Sequence, residues 1–78
     1  MNTPITSFMV ERSIWPVVSS GFFNGAWTYT HRCSAAPRLV RVDRVRDGWT
    51  VEQFYMVDGR RAVSLQSALD WLNDGVPT

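Results

Sequence analysis

Three Asx-Gly pairs divide the chain into short runs of strand-forming residues. Asn24-Gly25, Asp47-Gly48 and Asp58-Gly59 each separate two such runs. Asn-Gly and Asp-Gly are favoured in two-residue β-hairpin turns, because both positions accept a positive φ angle. The chain is therefore predicted to fold as a series of antiparallel hairpins.

The runs between these turns alternate as strands with two different faces do. In the clearest case, Trp27, Tyr29 and His31 share one face while threonines occupy the other. Apolar groups occur on both faces of the second half of residues 49–57, so this segment is predicted to be the central strand. A strand is predicted at residues 8–15, and residues 17–23 continue it with β propensity. Further strands are predicted at residues 26–33, 39–46, 49–57 and 60–63.

One helix is predicted after the last hairpin. Ser64 is a favoured N-cap residue, and four apolar residues from Leu65 to Leu72 follow at the spacing of one helical face. Gly75 supplies a stop signal. The predicted fold is α+β, an antiparallel sheet of four to five strands with one C-terminal helix packed on one face.

A chain of 78 residues has room for one hydrophobic core. We expect a single domain over residues 1–78, with a loose leader at 1–6 and a tail at 76–78. Cys33 is the only cysteine, which excludes a disulfide scaffold within one chain. The first residues lack the basic start and apolar run of a signal peptide, and the longest apolar run is too short to span a membrane. We expect a cytoplasmic protein.

Candidate catalytic and metal-binding groups are few. His31 and Cys33 share a strand face but lie about 7 Å apart along the chain, which is too far for a Cys–His nucleophilic pair. The sequence has no second cysteine or histidine to complete a zinc site. The five glycines are explained as turns or a helix stop, so no phosphate-binding loop is predicted. We expect a protein that is not an enzyme and binds no cofactor or metal.

The arginines suggest a binding surface. The eight residues of the Lys+Arg class are all arginine, which binds carboxylates and phosphates through a planar fork and stacks on aromatic rings. Several lie close together on or just before the strand predicted at residues 39–46, and two more follow the last hairpin turn. The candidate partner-binding residues are Arg38, Arg41, Arg44, Arg60, Arg61, Trp71, Phe22 and Phe23.

Simpler interpretations stay open for these residues. The arginines are also consistent with solvated strand faces whose cross-strand partners are acids such as Asp43, Glu52 and Asp58. A small sheet with one helix can use Trp15, Trp71 and the two phenylalanines in its own core. Otherwise they form an exposed aromatic patch that serves a homodimer or a foreign protein.

One stretch of the chain resembles a known type of protein. It is WTVEQFYMVDGRRAVSLQSALDWLNDG, which combines a hairpin, a helix, arginines, acids and aromatics. In size and layout the chain resembles small inhibitors encoded by phages and mobile elements, including anti-CRISPR proteins. This resemblance implies inhibition of a host defence nucleoprotein complex through protein–protein contact. The alternative is a small nucleic-acid-binding domain that uses the arginine patch against phosphates.

Overall fold

The Asx-Gly pairs at 24–25, 47–48 and 58–59 close hairpins in the computed structural model of the chain, which describes residues 3–77. Asn24, Asp47 and Asp58 have φ angles of 52°, 53° and 52°. The glycines that follow them have φ angles between 78° and 82°. Positive φ at both central residues defines a type I′ turn, whose twist matches that of the flanking strands. The predicted hairpins are confirmed.

Among residues 3–77, five strands form one antiparallel sheet whose order follows the chain. The strands are β1 (Val17–Phe23), β2 (Ala26–Arg32), β3 (Leu39–Arg46), β4 (Trp49–Val57) and β5 (Arg60–Ala62). The prediction that residues 49–57 form the central strand is wrong, because β3 is central and β5 pairs only with the last three residues of β4. The apolar residues on both faces of β4 have another cause, described below.

The predicted C-terminal helix is present as α2 (Leu65–Asp74). The Ser64 side chain caps it by accepting a hydrogen bond from the Ser67 N–H at 3.1 Å, and Gly75, with φ of 100°, ends it. Ala68 and Leu69 are its buried residues. A five-stranded antiparallel sheet with this helix is the α+β arrangement that was predicted.

The strand predicted over residues 8–15 is wrong. This segment overlaps α1 (Ser7–Glu11). Thr6 caps the helix, since its side chain accepts a hydrogen bond from the Met9 N–H at 3.3 Å. Val10 is 2% exposed, and its carbonyl accepts a hydrogen bond from Trp15 Nε1 at 3.2 Å. The cap and the burial of Val10 therefore outweigh the partial alternation of the sequence.

The segment before α1 is joined to α2. The Ile5 N–H donates to Asn73 Oδ1 at 2.7 Å, and Asn73 Nδ2 donates to the Ile5 carbonyl at 2.9 Å. Ile5 also packs against the core. Residues 1, 2 and 78, at the outer ends of the predicted leader and tail, lie outside the described residues.

The hydrophobic core lies at one end of the sheet, the core end. Leu39, Val57 and Cys33 are completely buried there and pack with Val10 of α1 and Leu69 of α2. Antiparallel pairing places the turns at 24–25 and 47–48 together at the opposite end, the tip end. The radius of gyration is 13.2 Å, against about 11.5 Å for a compact domain of this length. The tip end therefore projects beyond the core.

The first prediction concerns α2. Leu69 is 3% exposed, so Leu69→Ala should lower the free energy of unfolding by about 2–5 kcal/mol through lost burial and a new cavity. Gln66→Ala, at an exposed position of the same helix, should change it by less than about 0.5 kcal/mol. Urea denaturation measures both variants. Equal midpoints for the two variants would show that α2 does not pack as described.

Candidate functional site

The pairing register assigns each strand residue to one of two faces of the sheet. On β3, Leu39, Arg41 and Asp43 lie on the face that the helices cover at the core end, here called the helix face. Val40 and Val42 lie on the opposite face. Among residues 3–77 no helix packs against this second face, here called the open face.

The centre of the open face is apolar. Val40 pairs with Met56, and Val42 pairs with Phe54, across β3 and β4. Val42 is 6% exposed and the other three side chains are half-buried. Val42 nevertheless lies outside the core cluster beneath the helices. The second half of β4 is apolar on both sides because one side meets the core and the other joins this second cluster.

Arginine side chains border the apolar centre. Arg44 Nη1 lies 3.3 Å from Glu52 Oε1, and Arg61 Nη2 lies 3.7 Å from Glu52 Oε2. The guanidinium carbon of Arg61 also lies 4.1 Å from the centroid of the Phe54 ring, which is a cation–π contact. Two predicted partner-binding residues from different strands therefore meet on the open face through one carboxylate and one aromatic ring.

The open face is the basic side of the sheet. By register its charged strand residues are Arg32, Arg44, Arg46, Arg61 and Glu52. Four arginines and one glutamate give this face a net charge of +3, against +1 for the whole chain. An apolar centre bordered by arginine has the composition of a protein interface, where arginine and aromatic residues are enriched.

The other predicted arginines lie elsewhere. Arg41 Nε is 3.3 Å from Asp43 Oδ2 on the helix face. The guanidinium of Arg60 lies 5.9 Å from the centroid of the Trp71 ring, beside α2. Arg38 lies at the core end, just before β3. The predicted arginines are thus divided between the two faces and one end of the sheet.

A polar row on the helix face separates the core from the tip end. Asp43 is at its centre, since Gln53 Nε2 donates to Asp43 Oδ1 at 2.8 Å and His31 Nε2 lies 3.2 Å from Asp43 Oδ2. His31 Nδ1 lies 2.9 Å from the Trp15 carbonyl oxygen. Cys33, the other half of the candidate pair, is completely buried in the core. The imidazole is thus held by Asp43 and the backbone rather than by the thiol.

The predicted aromatic residues are divided between surface and core. Phe22 and Phe23, at the tip end, are 60% and 75% exposed. Their register places Phe22 on the helix face and Phe23 on the open face. Trp15 and Trp71 instead pack against the core cluster. The phenylalanines are therefore surface residues, whereas the two tryptophans contribute to the packing under the helices.

The apolar centre of the open face and the exposure of two tryptophans at the tip end were not predicted from the sequence. Trp27 and Trp49 are 46% and 77% exposed at the tip end. The sequence contains a usable signal, because Val40 and Val42 alternate with polar residues on β3, while Phe54 and Met56 alternate with Tyr55 and Val57 on β4 and so lie on the opposite face from them. Both strands therefore carry apolar residues on a face that a single ten-residue helix on the other side leaves uncovered.

Comparison with protein-family models, curated proteins and solved structures finds no match for this chain. None of the helices among the described residues is long and apolar enough to cross a membrane. Within residues 3–77, no three side chains of the His, Cys, Asp and Glu types form a group that could hold a metal ion.

The second prediction concerns the ion pair at the core end. Hydrogen bonds from the Arg38 guanidinium hold the pKa of the Asp58 carboxyl below its ordinary value. Arg38→Gln should raise that pKa toward the ordinary value, as measured by an NMR titration of the carboxyl carbon. Arg12→Gln, in the segment after α1, should leave it unchanged.

The sign of the stability effect follows from the lowered pKa. The ion pair stabilises the folded state above the unfolded-state pKa of the carboxyl, and this contribution is lost as the pH falls through the lower folded-state pKa. Both side chains are about half exposed, so the effect on stability should be small and weakened by salt. An unchanged Asp58 titration in Arg38→Gln would contradict the assignment.

Proposed function

We propose that the chain is a small, non-enzymatic protein-binding module that docks through the open face of its sheet. The partner surface is one with carboxylates around an apolar centre. The main support for this proposal is the composition of the open face. Its strand residues carry a net charge of +3, its centre is apolar, and the helices of residues 3–77 do not cover it.

Charge and packing favour a protein partner of this kind. Val42 is nearly buried and its neighbours are half-buried, so most side chains of the apolar centre are already packed before binding. Preordered apolar residues lose little conformational entropy on association. The arginines around them can pair with carboxylates of the partner through two hydrogen bonds each. Such pairing would fix the orientation of the bound partner and disfavour proteins whose surfaces have few carboxylates.

A single-stranded nucleic acid is the second candidate, favoured by the same positive charge. Two features of the open face count against it. Glu52 lies between Arg44 and Arg61 and repels phosphate. The Phe54 ring lies under the Arg61 guanidinium, so a base would have to displace that side chain to stack on it.

The resemblance to small phage-encoded inhibitors extends the proposal to a target. It suggests that the bound protein belongs to a host defence nucleoprotein complex, and that docking blocks it, as anti-CRISPR proteins do. Such a target is cytoplasmic, which agrees with the expected location of the chain. An acidic surface around an apolar centre is what this target is expected to present.

The third prediction tests the open face as the docking surface. The double variant Arg44→Gln, Arg61→Gln should weaken binding of the captured partner by about tenfold or more, because two charged contacts are removed. The matched control is Arg12→Gln, Arg60→Gln, which makes the same charge change away from this face. Affinity capture from the native host identifies the partner, and calorimetry with the purified partner compares the variants.

Two results would contradict the proposal. One is equal loss of binding in the two double variants, which would assign the effect to overall charge. The other is binding to single-stranded probes in a gel-shift experiment with a steep salt dependence. A slope of about −0.7 per phosphate contact on a log–log plot identifies nucleic-acid binding.

A further inference from the structure

The outer edge of β1 is open to pairing with another strand beyond a register shift at its start. β1 pairs with β2 on one side, and all seven of its residues are exposed. In an antiparallel strand at the edge of a sheet, every second residue directs its N–H and C=O groups outward, where another strand can pair with them. Natural sheets block such edges with charges, proline, bulges or very short strands.

The opposite side of the sheet has these protections. β5 is three residues long, contains Arg60 and Arg61, and contacts α2. The part of β4 beyond β5 carries Glu52 and a register shift. β1 has neither charge nor proline between Val17 and Phe23, and its one irregularity is a register shift near its start. The two edges therefore differ in whether they admit a further strand.

The sequence of β1 is complementary to itself in the antiparallel direction. It reads Val-Val-Ser-Ser-Gly-Phe-Phe, with two apolar residues at each end and small residues in the middle. A second copy centred on Ser20 would place Val18 beside Phe22 and the small residues at 19–21 beside one another. The register shift after Val17 puts this residue on the face opposite to that of Phe23, so the matched segment is 18–22. No charged side chains would meet, so identical copies would not repel each other along this edge.

We propose that two copies of this chain pair through β1 in an antiparallel arrangement, with the two-fold axis at Ser20. Their sheets join into one sheet, and the axis runs perpendicular to it. The open faces of the two copies then lie on the same side. This self-association does not depend on the proposed docking function, although it would double the basic apolar surface. The contact along residues 18–22 is small, below about 1,200 Å² of buried surface, so the dissociation constant should be micromolar or weaker.

The first test is the mass of the purified chain in sedimentation experiments from micromolar to millimolar concentration. The weight-average mass should rise toward that of two chains and stop there, because pairing about a two-fold axis leaves no free β1 edge. Ser20→Lys should raise the dissociation constant by about tenfold, since it places like charges side by side. Gln66→Lys, on the exposed side of α2, makes the same charge change and should leave it unaltered.

The second test fixes the register and uses an uncharged variant. Ser20→Cys places a thiol beside its own copy, so a short bifunctional thiol reagent should cross-link the two chains. The unmodified chain is the control, because its Cys33 is completely buried. A chain that stays monomeric at millimolar concentration would overturn the proposal, and only a strand of another protein could then pair with this edge. Three other results would also overturn it. They are equal weakening of self-association by Ser20→Lys and Gln66→Lys, a mass that rises beyond two chains, and no more cross-linking of Ser20→Cys than of the unmodified chain.

Discussion

The structure depends on a mismatch between the size of its sheet and the size of its helices. α2 has ten residues and is therefore about 15 Å long. Five strands are about 19 Å across, and the nine residues of β4 are about 30 Å long. The helices of residues 3–77 thus bury one end of one face, which is where Leu39, Val57 and Leu69 lie. The open face and the tip end are left to interact with solvent or with partners.

The uncovered part of the sheet is ordered by local and cross-strand interactions. Type I′ turns fix the register of each hairpin, so the strands pair without a helix above them. The row of hydrogen bonds around Asp43 closes the core on the helix face. On the open face, Glu52 forms ion pairs with Arg44 and Arg61 at the border of the apolar centre. The same contacts that stabilise the sheet therefore shape the proposed docking surface.

Much of the fold could be predicted from sequence because its signals are local. The Asx-Gly turns fixed the hairpins, and Ser64 with Gly75 fixed α2. The segment at 8–15 was mispredicted because a cap and one buried residue, Val10, decided a helix of only five residues. Alternation along a strand already separates Arg41 from Arg44 and Arg60 from Arg61. The meeting of Arg44 and Arg61 on one face depends on strand order and register, which side-chain patterns do not reveal.

Methyl NMR of the chain with its purified partner can establish whether the open face is the surface that binds it, as proposed. Val40, Val42 and Met56 have methyl groups on this face, whereas Leu69 and Leu72 report on the helix side. Binding at the open face is expected to shift or broaden the methyl signals of Val40, Val42 and Met56 and to leave those of Leu69 and Leu72 nearly unchanged. Changes confined to the leucine methyl groups would contradict it.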